Sequence, residues 1–346
     1  MSLERDFPAL FQALQAGPLP FDAFMKIALY DENHGFYTRQ KDIKDHFVTA
    51  PMLGRWLAMA VVKNCLQFFP EFLDLGITEW GAGRGDLMLQ IMLYLDELGH
   101  AVNYECIECS PVQQAHIQAK ISQLPSSLQH RVSISSSPTQ NKGLILANEF
   151  LDALPFKRFV FSNGVIFEQG VMLEDGRLQY INMPSSDRFK EQVESLDIHP
   201  GEADYVSELS LSTPDWFYSQ LKAAGDAYFL IMDYGYLHPE YYHPERNNGS
   251  FQAIRNHKVL TDMLNEHPGT YDMTAHVNFS TLIELLTDQP YRYRTQRHFL
   301  LDSGIFDELD PSLDPAQAGM IKTLLMPGQM GDLIKVFEVM IKNEET

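Results

Sequence analysis

The stretch Thr78–Met88, TEWGAGRGDLM, sets glycines at Gly81, Gly83 and Gly85, with an acid, Glu79, two residues ahead of the first. Glycine enters left-handed backbone without strain and lets a ligand approach the main chain closely. The apolar run LGITEW before the glycines reads as a short buried strand. DLMLQIMLYLDELG after them reads as a helix stopped by Gly99. A helix so placed points N–H groups and the positive end of its dipole at the turn. The stretch is therefore a strand–turn–helix suited to a nucleotide-like ligand. Its spacing is G-x-G-x-G rather than the G-x-G-x-x-G of dinucleotide-binding turns.

Outward from the turn the alternation continues. NYECIECS reads as a second strand and PVQQAHIQAKISQL as a second helix with proline in its first turn. VSISSS and GLILANEF read as the third and fourth strands, WFYSQLKAAG as a helix and DAYFLIMDYG as the fifth strand. RYRTQRHFLLDSG and DLIKVFEVMIK read as closing antiparallel strands, and NFSTLIELLTDQ as a helix. Strands alternating with helices predict a parallel, doubly wound α/β sheet. Two stretches break the rhythm. FKRFVFSNGVIFEQGVMLEDGRLQYI alternates polar and apolar, with Asn163-Gly164 and Asp175-Gly176 at the reversals, which predicts a β-meander inserted over about residues 156–200. Residues 236–278 are loop-like and rich in tyrosine, histidine and proline. FPALFQALQ and RWLAMAVVKNCLQFF show helical spacing around an irregular polar stretch, Tyr30 to Pro51. The expected organisation is a helical N-terminal cap with a lid-like loop over 1–70, and a core over 71–346 that carries both insertions.

Lysine and arginine total 26 against 46 aspartate and glutamate, a formal charge of −20 over 346 residues. That surface repels phosphate backbones and anionic lipids and attracts a basic partner, so neither nucleic-acid binding nor membrane insertion is expected. Cys65, Cys106 and Cys109 do not build a disulfide scaffold and suit a reducing compartment. MSLERDFPAL lacks the basic and apolar regions of a signal peptide, and Glu4 and Asp6 disfavour a transit peptide, so the expected location is cytoplasmic. Cys106-x-x-Cys109 has redox spacing, but an odd separation within a strand sends the two side chains to opposite faces. The histidines of YLHPEYYHPE lack metal-ligand spacing, and no metal is expected.

The sheet points to the candidate site residues. Glu108 ends the second strand, where an acid accepts hydrogen bonds from ribose hydroxyls; the alternative is an exposed strand-end acid. Asn148, Glu149 and Phe150 set an amide, a carboxylate and an aromatic ring at the end of the fourth strand, on the rim where such sheets bind ligands. Asp152 comes next, and a helix cap by Asn148 or Asp152 is the competing reading. Asp233 stands at the end of the fifth strand.

EWGAGRGDLM resembles the acid-x-Gly-x-Gly-x-Gly signature of class I S-adenosylmethionine-dependent methyltransferases. Longer blocks narrow the resemblance: IALYDENHGFY from Ile27, FVTAP from Phe47, ANEFLDALP from Ala147, DYGY from Asp233, and GSFQAIRNHK with YDMTAHVNF between Gly249 and Phe279. From about residue 18 onward, in this order, they resemble the MidA-like family of complex I assembly methyltransferases. Trp80 and Ala82 stand where relatives have Leu and Pro, and TDMLNEHPGTYD is a less regular match. The resemblance implies a seven-stranded Rossmann-like methyltransferase sheet and S-adenosyl-L-methionine as cofactor. Its binding set would be Glu79, Gly81, Gly83, Gly85, Glu108 and Asn148, with Thr49 and Pro51 in the lid-like loop or simply packing there. It also implies transfer to an arginine of a protein substrate, with a respiratory-complex subunit as the eukaryotic precedent.

Methyl transfer from a sulfonium is an in-line displacement that depends on positioning. A guanidinium nucleophile also needs carboxylates to hold it in a bidentate fork. Glu149, Asp152 and Asp233 are the candidates, Glu149 foremost. His276 in TAHV is the candidate for orienting substrate or taking up the released proton, against a structural role for a loop histidine. Oligomeric state stays open, a homodimer included. Two other readings stand beside the enzyme: a cofactor-binding assembly factor without turnover, and a nicotinamide-dependent oxidoreductase.

Overall fold

The apolar runs on either side of the glycine turn build a mixed β-sheet in the computed structural model, which describes residues 3–39, 50–199, 204–305 and 315–342. Along one path lie β1 Ile77–Trp80, β2 Tyr104–Ile107, β3 Val132–Ser135, β4 Gly143–Asn148, β5 Ala227–Tyr236, β6 Tyr291–Thr295 and β7 Ile334–Ile341. Their order is β3-β2-β1-β4-β5-β7-β6. An eighth strand of two residues, Val277–Asn278, joins β5 off that path, where the Phe279 N–H donates to the Tyr236 carbonyl. β1 to β5 pair in parallel, and β7 runs antiparallel to β5 and β6. Every residue of β2 and β4 is buried, as a parallel sheet covered on both faces requires. The register sets Trp80 beside Ile107 and Ala147, and Asn148 beside Met232. The carboxyl ends of the central strands thus come level at one edge.

Two elements differ from expectation. RYRTQRHFLLDSG supplies only the short β6, because Thr295 Oγ1 accepts the His298 N–H and caps a helix, Gln296–Asp302. NFSTLIELLTDQ holds a single helical turn, Ser280–Ile283, with Thr287 and Gln289 tying a turn ahead of Pro290.

The chain divides into two compact units. One contains the described residues of Val48–Leu151, Phe217–Gly235 and Glu284–Thr346. In its core, Leu57 and Val61 from the helix Trp56–Phe68 and Met88 and Ile91 from the helix Asp86–Glu97 join Ile77, Leu144 and Leu230 of the sheet. The other contains the described residues of Met1–Phe47, Asp152–Trp216 and Tyr236–Ile283. Its main sheet is a meander of Lys157–Ser162, Val165–Glu174 and Arg177–Pro184, extended by Tyr205–Leu209 and Leu19–Pro20. Asn163 and Gly164 turn at φ 50° and 75°, and Asp175 and Gly176 at 49° and 73°. Two successive left-handed residues make the turn whose twist matches antiparallel strands. Phe21, Phe24, Phe156, Val171 and Met273 form its core. The helix Trp56–Phe68 belongs to the sheet unit rather than to a cap ending at residue 70, because Leu57 to Val62 are all buried there.

Candidate functional site

β1 ends at Trp80, and the backbone turns through Gly81, Gly83 and Gly85 at φ 65°, 52° and 74°. A side chain is strained by roughly 1–2 kcal/mol in that region. What a side chain would meet separates the three. A Cβ on Gly81 would lie 2.7 Å from the Phe150 ring, and one on Gly85 3.3 Å from Ile117 and Met88, so the protein itself closes both positions. A Cβ on Gly83 would find its nearest neighbour at 3.9 Å. Among the described residues, Gly83 is bare toward open space. Gly85 precedes the helix Asp86–Glu97, which begins without a side-chain cap. Its first-turn N–H groups and positive dipole end therefore face the turn.

Glu108, just past β2, is tied to this turn. One carboxylate oxygen accepts the Gly83 N–H at 3.0 Å, and the other accepts the Ser110 N–H at 2.8 Å. Burial raises its pKa, and these amides oppose the rise. Glu79 lies beneath the turn: buried in β1, it accepts the Tyr104 O–H at 2.8 Å, and burial pushes its pKa up to about 8. Pro51 is buried in a short 3₁₀ turn, Ala50–Leu53, and its carbonyl accepts the Gln90 side-chain amide at 2.9 Å. Thr49 lies outside the described residues. These residues fit an adenosyl group with an unsubstituted ribose, since Gly83 admits close approach and Glu108 offers an acceptor for hydroxyls. β2 stops at Ile107, so Cys106 is buried within the strand and Cys109 is exposed beyond it.

A second group stands at the ends of β4 and β5. Asn148, the last residue of β4, is 9% exposed, and its Nδ2 reaches Glu149 Oε1 at 3.4 Å. Glu149 is left-handed at φ 48°, which costs a non-glycine residue about 1–3 kcal/mol. Its N–H donates to the Met232 carbonyl at 2.8 Å, and its Oε1 accepts the Ala50 N–H at 3.0 Å. Asp233, 1% exposed, fastens the backbone on the far side of Glu149. One of its oxygens accepts the N–H groups of Phe150 at 3.1 Å and Leu151 at 2.8 Å, and the other accepts that of Tyr234 at 2.8 Å. Asp233 thus holds main chain. Phe150 packs on Gly81, and its ring centre is 5.8 Å from that of Trp80, so the glycine turn and the β4 end adjoin.

Asp152 and His276 belong to the meander unit. Asp152 accepts the Thr274 O–H at 2.7 Å, and burial pushes its pKa up to about 6. Asp272 accepts the Tyr37 O–H and the Met273 N–H, both at 2.8 Å. Burial, reinforced by the nearby Asp152 charge, pushes its pKa up to about 7. Tyr37 stacks on Tyr30, whose O–H donates to the Ala153 carbonyl at 2.8 Å. His276 donates its N–H to Ser250 Oγ at 3.0 Å, and its ring stands edge-on 5.1 Å from Tyr236. Asp272, Tyr37 and Tyr30 escaped the sequence reading although they lie in IALYDENHGFY and YDMTAHVNF. An acid flanked by Tyr271 and Met273 in a strand-like run was the signal for a buried carboxyl.

The chain is similar over most of its length to proteins named as methyltransferases or as likely ones. The chain is 25% identical to a Burkholderia thailandensis protein solved bound to S-adenosyl-homocysteine, with a TM-score of 0.86 over 98% of this chain and 93% of that one. A native structure from the same organism is 26% identical, with a TM-score of 0.87 over the same shares. The chain is 23% identical to the Danio rerio "Protein arginine methyltransferase NDUFAF7, mitochondrial" over 94% of this chain and 84% of that protein. It is 25% identical to the Caenorhabditis elegans homolog of that name over 84% and 74%. The model of the family described as "Putative S-adenosyl-L-methionine-dependent methyltransferase" matches residues 52–294, from ahead of β1 into β6 and well over half of the 346 residues, and the chain belongs to that family.

Proposed function

We propose that this chain transfers the methyl group of S-adenosyl-L-methionine to an arginine side chain of a protein substrate. The turn carries the cofactor half of this reading: Gly83 is open, and Glu108 is bonded to its N–H. The names of the Danio rerio and Caenorhabditis elegans relatives support the arginine half. The strand order 3-2-1-4-5-7-6 supports reading the sheet as a seven-stranded methyltransferase sheet with the meander inserted after β4.

When bound, the cofactor supplies a methyl group activated on a sulfonium. The chain supplies position and charge. In this reading the Gly83 backbone and the helix N-terminus receive the cofactor, and Glu108 accepts its ribose hydroxyls. Glu79 supports the turn from beneath through Tyr104, and Pro51, whose carbonyl holds Gln90, and Thr49 remain candidates for contacts with the cofactor. Glu149 holds the target guanidinium and receives its proton, while Asp233 positions the residues just beyond Glu149. Asp152 and His276 remain candidates for contacts with substrate. The cytoplasm is the proposed location, on the three free cysteines. Among the described residues no helix is long and apolar enough to cross a membrane.

Calorimetric titration with S-adenosyl-L-methionine, and NAD as control, tests the cofactor. Roughly micromolar binding of the first alone is expected; binding of neither, or of NAD, overturns the reading. Mass spectrometry of lysate proteins treated with enzyme and cofactor should then show new methylarginine. Glu149→Gln should suppress that signal and leave cofactor binding unchanged, and full turnover by this variant would remove Glu149 from the transfer step.

A further inference from the structure

Asn148 Oδ1 is buried and accepts no hydrogen bond from the described residues. Native proteins keep few such groups, and each calls for a cause. Turning the amide over gives no relief, because Oδ1 would then face Glu149 Oε1, acceptor against acceptor. The residue ends a central strand beside Met232, and the next residue is the left-handed Glu149. Asp233 fastens the two residues after that. A strained turn held by so many bonds, with an unanswered acceptor at its start, is a feature of sites that wait for a ligand.

Two acceptors meet here: Asn148 Oδ1 and the Glu149 carboxylate, whose Oε1 already takes the Ala50 N–H. Asn148 Oδ1 has room for a donor from a ligand, and a carboxylate such as that of Glu149 accepts several hydrogens at once. A hydroxyl target brings one hydrogen, whereas a guanidinium or amine nitrogen brings two. On the proposed function above, we infer that Asn148 Oδ1 and Glu149 form an acceptor pair for the hydrogens of a target nitrogen, so that Asn148 serves the methyl acceptor rather than the cofactor. The pair selects nitrogen over oxygen and aims the nitrogen lone pair at the methyl group. As the N–C bond forms the S–C bond breaks, and its electron pair stays on sulfur as a thioether. The displaced proton passes from nitrogen to the Glu149 carboxylate and on to water. Burial keeps water from competing for Oδ1.

Sinefungin tests this without a protein substrate, since it carries a primary ammonium where S-adenosyl-L-methionine carries the transferable methyl. Calorimetry would compare sinefungin with S-adenosyl-homocysteine on the full chain. The wild type should prefer sinefungin by about tenfold or more, the scale of a hydrogen bond to a charged group. Asn148→Leu should lose most of that preference while its affinity for S-adenosyl-homocysteine stays within about twofold, and Asn148→Asp, which keeps an acceptor oxygen, should retain the preference. Thermal melting checks each fold, with Asn148→Ser in place of the leucine variant if the latter does not fold. Equal weakening of both ligands would assign Asn148 to the cofactor and overturn the inference. A preference absent from the wild type, or undisturbed in Asn148→Leu or its serine stand-in, would overturn it too. Failure of the wild type to bind S-adenosyl-homocysteine would instead sink the cofactor reading, and this inference with it.

Discussion

Gly81, Gly83 and Gly85 share one backbone conformation but answer to different neighbours, and substitution should separate them. Gly83→Ala carries only the left-handed strain of about 1–2 kcal/mol, because no described residue beyond its chain neighbours comes nearer than 3.9 Å to the new carbon. Gly81→Ala adds a clash with the Phe150 ring, worth about 1–3 kcal/mol more. Urea denaturation should therefore rank Gly81→Ala below Gly83→Ala in stability, while calorimetry shows Gly83→Val to have lost the cofactor with its fold intact. Retained binding in Gly83→Val would mean that the ligand does not lie on this backbone. Asp272 gives a second test at this scale. Its carboxyl holds a proton to about pH 7 in the fold, but only to about pH 4 when unfolded. Between those values the native state binds more protons, so this group's contribution to stability is lost as pH rises. Asp272→Asn keeps an acceptor for Tyr37 and Met273 and cannot ionise. Its melting temperature should gain on the wild type from pH 5 to pH 8, and a constant difference would show that burial is not what holds the proton.

At the scale of elements, local rules placed most of the sheet unit. Asp86–Glu97 and Pro111–Ile121 form where apolar spacing and the N-terminal proline predict helices. The meander turns fall at Asn163-Gly164 and Asp175-Gly176 because those residues tolerate positive φ. The failures are at ends set by side chains. Thr295 starts a helix in what looked like strand, and its cap depends on one hydroxyl that periodicity does not weigh. The turn after β4 is likewise held by a side chain, that of Asp233, from another strand. Asp233→Ala would leave three backbone N–H groups without their acceptor, at about 1–3 kcal/mol for each buried donor. Urea titration should show a loss of about 3 kcal/mol or more, and a loss under about 1 kcal/mol would mean that water replaces the carboxylate.

For the whole molecule, the charge of −20 sets the long-range field. A basic arginine-containing peptide should be drawn to such a protein and a neutral one should not. Screening acts over about 10 Å at 0.1 M salt. With transfer measured at about 50 and about 300 mM NaCl, KM for a basic peptide should rise several-fold while kcat stays level, and an equal response from a neutral peptide would rule the field out. The division into two units was not legible in the chain, because residues 3–39 and 236–283 join the meander through partners distant in sequence, as Leu19 does in pairing with Val171. Hydropathy along a chain reports that a segment is buried, not against what.

The sequence by itself determined the strand–turn–helix at Gly81–Gly85, the alternation that makes a parallel sheet, the acid at Glu108 and the reversals of the meander. Each depends on backbone geometry and spacing within a few residues, which composition dictates directly. Tertiary structure alone decided that Gly83 is the open glycine, that Ala50 reaches Glu149 across 99 residues, and that Asp152 meets Thr274 across 122. It also left Asn148 Oδ1 without a donor among the described residues and brought Asp272 close to Asp152. Those features depend on which buried groups face one another, and that is settled only when the whole chain packs.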